Sequence, residues 1–134
     1  MKQLFSSLIA VIFIIIISYT GCKDQITGSD IDKRVIPDSN VSYSRDLQPV
    51  LNLKCASAGC HEDAERAGGL SVTSCVNTKE DPTIVVPGEP DNSRLVWAVD
   101  GIGNYPMPPA GYPPLTQNQI KGIWTWIKEG ADCN

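Results

Sequence analysis

The clearest hydrophobic pattern lies near the end of the chain. Four apolar residues there recur at intervals of three and four, which places them on one face of a helix: Ile120, Ile123, Trp124 and Ile127. Thr116 and Gln119 form a capping-box pattern before them, and Gly130 follows where a helix would end. The pattern predicts a terminal helix whose apolar stripe packs in the core.

A second helical pattern places Leu47, Val50 and Leu51 on one apolar face that leads to Cys55. Ser44 is its predicted cap, and Pro49 falls near the first turn, where proline is tolerated.

A short helix is also predicted over residues 94–100, capped by Asp91, Asn92 or Ser93. Glycines and prolines fill most of the chain between these helices, and five prolines fall within residues 105–114. The sequence therefore predicts an all-α domain with long Pro/Gly-rich loops.

The chain begins with features of an export signal. Lys2 precedes an unbroken apolar run from Leu8 to Ile17, and small residues follow it. This run is shorter than the roughly 20 residues that span a bilayer as a helix. We therefore predict a cleaved signal peptide over residues 1–21, with a retained membrane anchor as the alternative.

Cys22 follows Thr20 and Gly21, as in bacterial lipoprotein signals, although Tyr19 departs from the usual leucine. The sequence predicts that Cys22 is lipidated and begins the mature protein. The alternative is an ordinary signal peptide cut nearby, which would leave Cys22 as a spare thiol. Removing Cys22 leaves an even set of four cysteines, which suits an oxidising compartment.

Residues 22–40 are predicted to be the lipid-bearing Cys22 and a flexible tether, because they are polar and lack a sustained hydrophobic period. Fully extended, such a tether would reach roughly 60 Å. Residues 41–134 then form one small domain. The net charge of -4 argues against nucleic acid as a partner and is compatible with a basic docking face on another protein.

The candidate chemistry is concentrated in the segment 54–63, KCASAGCHED. It contains Cys55, Cys60 and the only histidine of the chain, His61. Covalent haem attachment uses two thiols followed by a histidine, usually with two residues between the thiols. Four residues lie between them here, so the chain must bulge out of helical geometry. Gly59 can take the backbone angles that such a bulge needs.

Met107 is the candidate for a second iron ligand, because Met1 leaves with the signal peptide and no other methionine remains. It stands between Pro106 and Pro108, whose rings restrict the local backbone. Two other interpretations of the cysteines stay open. Cys55 and Cys60 could form a disulfide, or they could bind zinc with His61 and a further cysteine.

From Tyr43 onward the chain resembles a single-haem, class I-like cytochrome c domain of the lipoprotein-anchored type found in Bacteroidetes and planctomycetes. The resemblance rests on five pieces in this order: LQPVLNLKCASAGCH, AGGLSVTS, VVPGEPDNSRL, MPP and LTQNQIKGIWTWIKEGA. It implies one covalent haem c enclosed by the domain, on Cys55 and Cys60. His61 would be the proximal iron ligand and Met107 the distal one.

With Cys55 and Cys60 assigned to haem by the resemblance, Cys75 and Cys133 remain, and we predict a disulfide between them. Four aromatic residues are candidates for packing at the haem edge, with ordinary core packing as the alternative: Trp97, Trp126, Tyr105 and Tyr112. The charged residues after His61 are predicted to be a solvated face.

These features predict an electron carrier rather than an enzyme: a monomeric lipoprotein of the periplasm or cell envelope, with redox proteins at the membrane as partners. Two alternatives stay open. One is a non-haem, disulfide-stapled binding module. The other is a haem enzyme or gas sensor in which Met107 is displaced from the iron.

Overall fold

The computed structural model describes residues 27–134, and within this range the chain is helical and contains no strand. Its α-helices are α1 (Gly28–Lys33), α2 (Gln48–Lys54), α3 (Cys75–Thr78), α4 (Arg94–Val99) and α5 (Gln117–Lys128). A π-helical turn, Tyr43–Leu47, runs directly into α2, and single 3₁₀ turns occupy Ala67–Gly69 and Pro90–Asn92. The all-α prediction is confirmed for these residues.

The predicted signal peptide and Cys22 lie outside the described residues. Among the helices that are described, none combines the length and the apolar character needed to cross a membrane.

Helix α5 forms the centre of the core. Thr116 and Gln119 make the predicted capping box: the Thr116 hydroxyl accepts from the Gln119 N–H, and the Gln119 side chain accepts from the Thr116 N–H. Ile123 and Ile127 are buried as predicted, but Ile120 and Trp124 are only partly buried.

Trp126, which lies outside the predicted stripe, is more deeply buried than Trp124. It is 1% exposed, its ring centroid lies 5.0 Å from that of Tyr43, and its Nε1–H donates to the Asp132 carbonyl. The buried face is rotated from the predicted one because α5 is covered from two sides. The π-helical turn contacts the helix, and residues 27–41 also pack on it.

Residues 27–41, which we call the strap, are folded onto the domain. Thr27 and Asp30 form a capping box that begins α1, and Ile31 and Ile36 are 1% and 2% exposed in the core. The predicted flexible tether is therefore wrong for residues 27–40, and the domain begins earlier than residue 41. The apolar residues Ile31, Val35, Ile36 and Val41 make no periodic pattern, yet all of them except Val35 are buried in the core.

Hydrogen bonds fix the strap against α5 at both of its ends. Gln119 Nε2 donates to the carbonyl oxygen of Ile31 at 3.1 Å. The Glu129 carboxylate accepts from the backbone N–H groups of Asn40 and Val41, at 2.7 and 3.0 Å. The bonds to Glu129 pair two backbone N–H groups of the strap that lie outside α1, and the bond from Gln119 is a second one to the Ile31 carbonyl, which also accepts the Arg34 N–H.

The start of α2 differs from the prediction in its cap. Ser42, not Ser44, accepts the N–H of Arg45 and begins the π-helical turn. Ser44 instead donates its hydroxyl to the backbone oxygen of Asn134. Pro49 lies in the first turn of α2, as predicted.

Ser93 precedes α4, as one of the three predicted caps, but makes no capping bond. Its hydroxyl accepts from the Val86 N–H and donates to the Glu89 carbonyl. It therefore fixes the preceding turn rather than the helix start.

Cys75 and Cys133 lie at disulfide distance, with sulfur atoms 2.04 Å apart. They connect α3 to the segment that follows α5.

Candidate functional site

One cavity of about 460 Å³ opens between the end of α2, the segment 61–72, helix α4 and the loop after it. Its volume lies within the range of about 300–1,000 Å³ that is typical of small-molecule and cofactor sites. The wall is mainly apolar and includes Leu51, Leu70, Val72, Ile84, Leu95 and Val99. Such a wall suits a flat, largely apolar ligand.

Three of the predicted site residues line this cavity: Cys55, His61 and Met107. They come from the end of α2, the segment after it and the proline-rich loop, so the fold brings together residues that are far apart in sequence. Cys60 is half-buried and is not part of the lining.

The His61 ring is oriented by the backbone. Its Nδ1 atom lies 3.3 Å from the carbonyl oxygen of Leu70. A carbonyl oxygen only accepts, so this bond requires the hydrogen on Nδ1, which leaves the lone pair of the neutral ring on Nε2. The His61 carbonyl also accepts the N–H of Val72, at 2.9 Å. The two bonds hold the imidazole against the 70–72 segment, and the ring could offer Nε2 to a metal.

The segment from Cys55 to Cys60 leaves helical geometry as the sequence predicts. Cys55 and Ala56 both donate their N–H groups to the Leu51 carbonyl, which ends α2. Gly59 has a φ of +80°, and the His61 N–H then bonds back to the Cys55 carbonyl at 3.1 Å. The extra residues thus form a bulge whose ends are held together.

Cys55 is partly buried, and the loss of water around its thiol raises its pKa to about 11. The Lys54 ammonium acts in the opposite direction, and the Cys60 thiol adds a smaller upward contribution. Cys55 therefore stays protonated near neutral pH. Both Cys55 and Cys60 are free thiols in the part of the chain that the structure describes.

The zinc interpretation needs a cluster that the fold does not assemble. Within residues 27–134, no three His, Cys, Asp or Glu side chains are grouped to hold a metal ion. The two further cysteines that zinc could have used, Cys75 and Cys133, lie at disulfide distance from each other.

Met107 is half-buried at the cavity wall, on the loop that joins α4 to α5. Its backbone N–H donates to the Ala98 carbonyl near the end of α4, at 2.8 Å. This bond holds Met107 at the side of the cavity that α4 forms. The loop around Met107 consists largely of proline and glycine.

Two of the four candidate aromatics line the cavity, Trp97 and Tyr105. Trp97 is 40% exposed and donates its Nε1–H to the Asp91 carbonyl, and Tyr105 is largely exposed. Trp126 has the alternative role, packing in the core. Tyr112 has neither role, because it is exposed and does not contribute to the lining.

Asp63 is exposed, as predicted for a solvated face, and it also has a structural role. Its Oδ1 atom accepts from Ser71 Oγ, Thr73 Oγ1 and Asn77 Nδ2, at 2.6, 2.7 and 2.9 Å. These bonds, the one from Ser71 most, hold the pKa of Asp63 below its usual range. The contacts fix the segment that carries Leu70 behind His61. In the sequence, the hydroxyl-bearing residues within 71–74 were the feature from which this role of Asp63 could have been predicted.

Arg94 was not among the predicted site residues. It is the cationic side chain in the lining of this cavity. Its guanidinium lies 3.4 Å from Thr83 Oγ1 at the exposed side of α4. A single cation beside an otherwise apolar wall could pair with an acidic group on a ligand. In the sequence, an arginine at the start of the apolar segment 94–99 was the feature from which this role could have been predicted.

A protein-family comparison matches the segment of the chain that contains part of this site. Residues 58–111 match the family described as Planctomycete cytochrome C. The matched segment contains Cys60, His61 and Met107 and begins after Cys55. No curated protein and no solved structure gave a significant match. The family match supports a cytochrome c-like domain in this chain.

Proposed function

We propose that the protein is an electron carrier with one covalently bound haem c, attached through Cys55 and Cys60 and ligated by His61 and Met107. The main support for this proposal is that Cys55, His61 and Met107 all line one apolar cavity. The family match over residues 58–111 adds independent support.

The residues present suit a haem. The apolar wall would cover its ring, and the Nδ1 contact to Leu70 leaves Nε2 of His61 for the iron. Arg94 is placed to pair with a haem carboxylate. When bound, a c-type haem supplies one-electron redox chemistry. His61 and Met107 would hold the iron, and ligation by a histidine and a methionine would favour outer-sphere electron transfer and raise the reduction potential.

The cysteines would supply the covalent bonds. A thiol S–H adds across a haem vinyl group, so that a C–S bond forms and the hydrogen goes to the vinyl carbon. Cys55 already lies in the cavity wall as a protonated thiol. Cys60 lies outside the lining, so its bond requires the Ala56–Gly59 bulge to adjust.

The protein would act at a membrane of the cell envelope, held by lipid on Cys22 and exchanging electrons with redox proteins there. Because the strap packs on the domain from residue 27, only five residue steps separate Cys22 from the folded part. These steps span at most about 18 Å. The domain would therefore stay near the membrane surface as a monomer, without the roughly 60 Å reach of a fully flexible tether.

Haem staining of the exported protein on a denaturing gel tests covalent attachment. We expect a stained band for the wild type, and its loss in the Cys55→Ser/Cys60→Ser double variant. The matched control is Cys75→Ser/Cys133→Ser, which should keep the stain. A colourless wild type, from cells that mature a control cytochrome, would contradict the proposal and favour the disulfide-stapled module.

A further inference from the structure

Lys54 is buried to a degree that is unusual for lysine, with a side chain only 2% exposed. Its Nζ atom donates to Asp32 Oδ1 and to the carbonyl oxygen of Pro114, both at 2.5 Å. A buried ammonium is stable only when it is well paired, so the buried Lys54 depends on both of these acceptors.

The two acceptors belong to different parts of the fold. Asp32 lies in α1 of the strap, and Pro114 lies near the end of the loop that carries Met107, residues 101–115. Lys54 itself is the last residue of α2, directly before Cys55. One side chain thus joins the strap, the cysteine-bearing segment and the loop on the other side of the cavity.

The contact matters because the loop has few other attachments apart from Leu115, its last residue, whose side chain is buried in the core. Before and at Met107, the N–H groups of Ile102 and Met107 bond to carbonyls of α4. After Met107, Tyr112 bonds to Pro109 within the loop. Among the described residues, the hydrogen bond from Lys54 to Pro114 is the one that joins residues 108–115 to another part of the chain.

We propose that Lys54 is a positioning residue for Met107: it fastens the far end of the loop to the strap and so keeps the methionine at the cavity. The inference rests on the proposed ligation of iron by Met107. Fixing a loop on both sides of a residue reduces the number of conformations open to it. Without Lys54, the loop from Pro108 onward gains freedom, and Met107 leaves the iron more often.

Imidazole binding to the oxidised, haem-loaded protein measures how often Met107 leaves, because imidazole needs the vacated position. The apparent affinity rises in proportion to the open fraction. We expect Lys54→Met to bind imidazole about tenfold more tightly than the wild type. Lys121→Met is the matched control, since Lys121 pairs with Asp38 of the same strap at the surface, and its affinity should change less than twofold.

Equal imidazole affinity in Lys54→Met and the wild type would overturn the proposal. If Lys54→Met does not fold, Asp32→Asn replaces it: this variant keeps an oxygen acceptor and removes the charge, so a smaller increase in the same direction is expected, and no increase counts against the proposal.

Hydrogen exchange separates a failure of this inference from a failure of the proposed function. If the wild type carries haem without methionine ligation, the ligand assignment is wrong, but the fastening of the loop can still be measured. Amides of residues 101–112 should then exchange faster in Lys54→Met than in the wild type, while those of α5 keep their protection. Unchanged exchange in the loop would overturn the role of Lys54.

Discussion

The side-chain amide of Asn118 bonds to both backbone polar groups of Ile36. Its Oδ1 accepts the Ile36 N–H at 2.7 Å, and its Nδ2 donates to the Ile36 carbonyl at 3.0 Å. The strap therefore has a fixed position on α5 at the point where Ile36 enters the core. Gly122 lies beneath it, where an added Cβ would stand 2.6 Å from Ile36 Cγ2.

Replacing Gly122 with alanine should destabilise the protein by about 1–2 kcal/mol. Overpacking a tight site costs about 1–3 kcal/mol, and the better helix propensity of alanine returns up to about 1 kcal/mol. Ile36 cannot move away easily because Asn118 holds its backbone. Urea unfolding would measure the change. The control is Gly28→Ala, also in a helix, where the new Cβ meets no atom within 4 Å. Equal stability of the two variants would contradict the fixed strap.

Removing the predicted Cys75–Cys133 bridge should cost about 4 kcal/mol of unfolding free energy, because the bond would close a loop with a sequence separation of 58. The Cys75→Ser/Cys133→Ser double variant tests this by chemical denaturation. Thiol counting on the unfolded wild type is the companion measurement: two reactive thiols from these positions without a reductant would show that the bridge does not form.

Acid should weaken the start of α2 through Asp46. The Arg45 side chain, followed by the Ser42 N–H, lowers the pKa of Asp46 from 3.8, against the opposing effect of burial. A lowered pKa in the folded state means that this stabilisation is complete above 3.8 and is lost as the pH falls through the folded pKa. Asp46→Asn should therefore show a flatter loss of stability below about pH 4 than the wild type.

The control for the acid experiment is Asp100→Asn, at an exposed aspartate after α4. Its stability profile should follow that of the wild type. If Asp46→Asn has the same acid slope as the wild type, the ion pair and the Ser42 bond do not contribute as described.

Met107→Ala should remove the methionine-to-iron absorption band of the oxidised protein while the haem stays covalently attached. The thioether would be lost, whereas the two cysteines and His61 are unchanged. Ile102→Ala is the matched control, because Ile102 lines the same cavity on the same loop. Retention of the band in Met107→Ala would rule out the distal assignment.

Short sequence motifs predicted those parts of the fold that depend on residues close together in the chain. The capping box of Thr116 and Gln119 marked the start of α5, and Gly59 marked the bulge after Cys55. In both places the required residue types stand close together in the sequence, so the pattern could be recognised without the tertiary structure.

Other features could not be predicted because they depend on what packs against each element. Trp124 and Trp126 both lie in α5, and Trp126 is the buried one because Tyr43 packs against it. Ile31 and Ile36 form no periodic hydrophobic pattern, so their burial was not predicted. The burial of Lys54 depends on Asp32 and Pro114, which only the fold brings to it.

Mass spectrometry of the exported, purified protein tests the central claim most directly. We expect an intact mass that includes one haem, and a proteolytic peptide containing Cys55, Cys60 and His61 that carries this addition. A peptide of this segment without haem, two hydrogens lighter because Cys55 and Cys60 are joined to each other, would contradict the haem carrier and support the disulfide-stapled module.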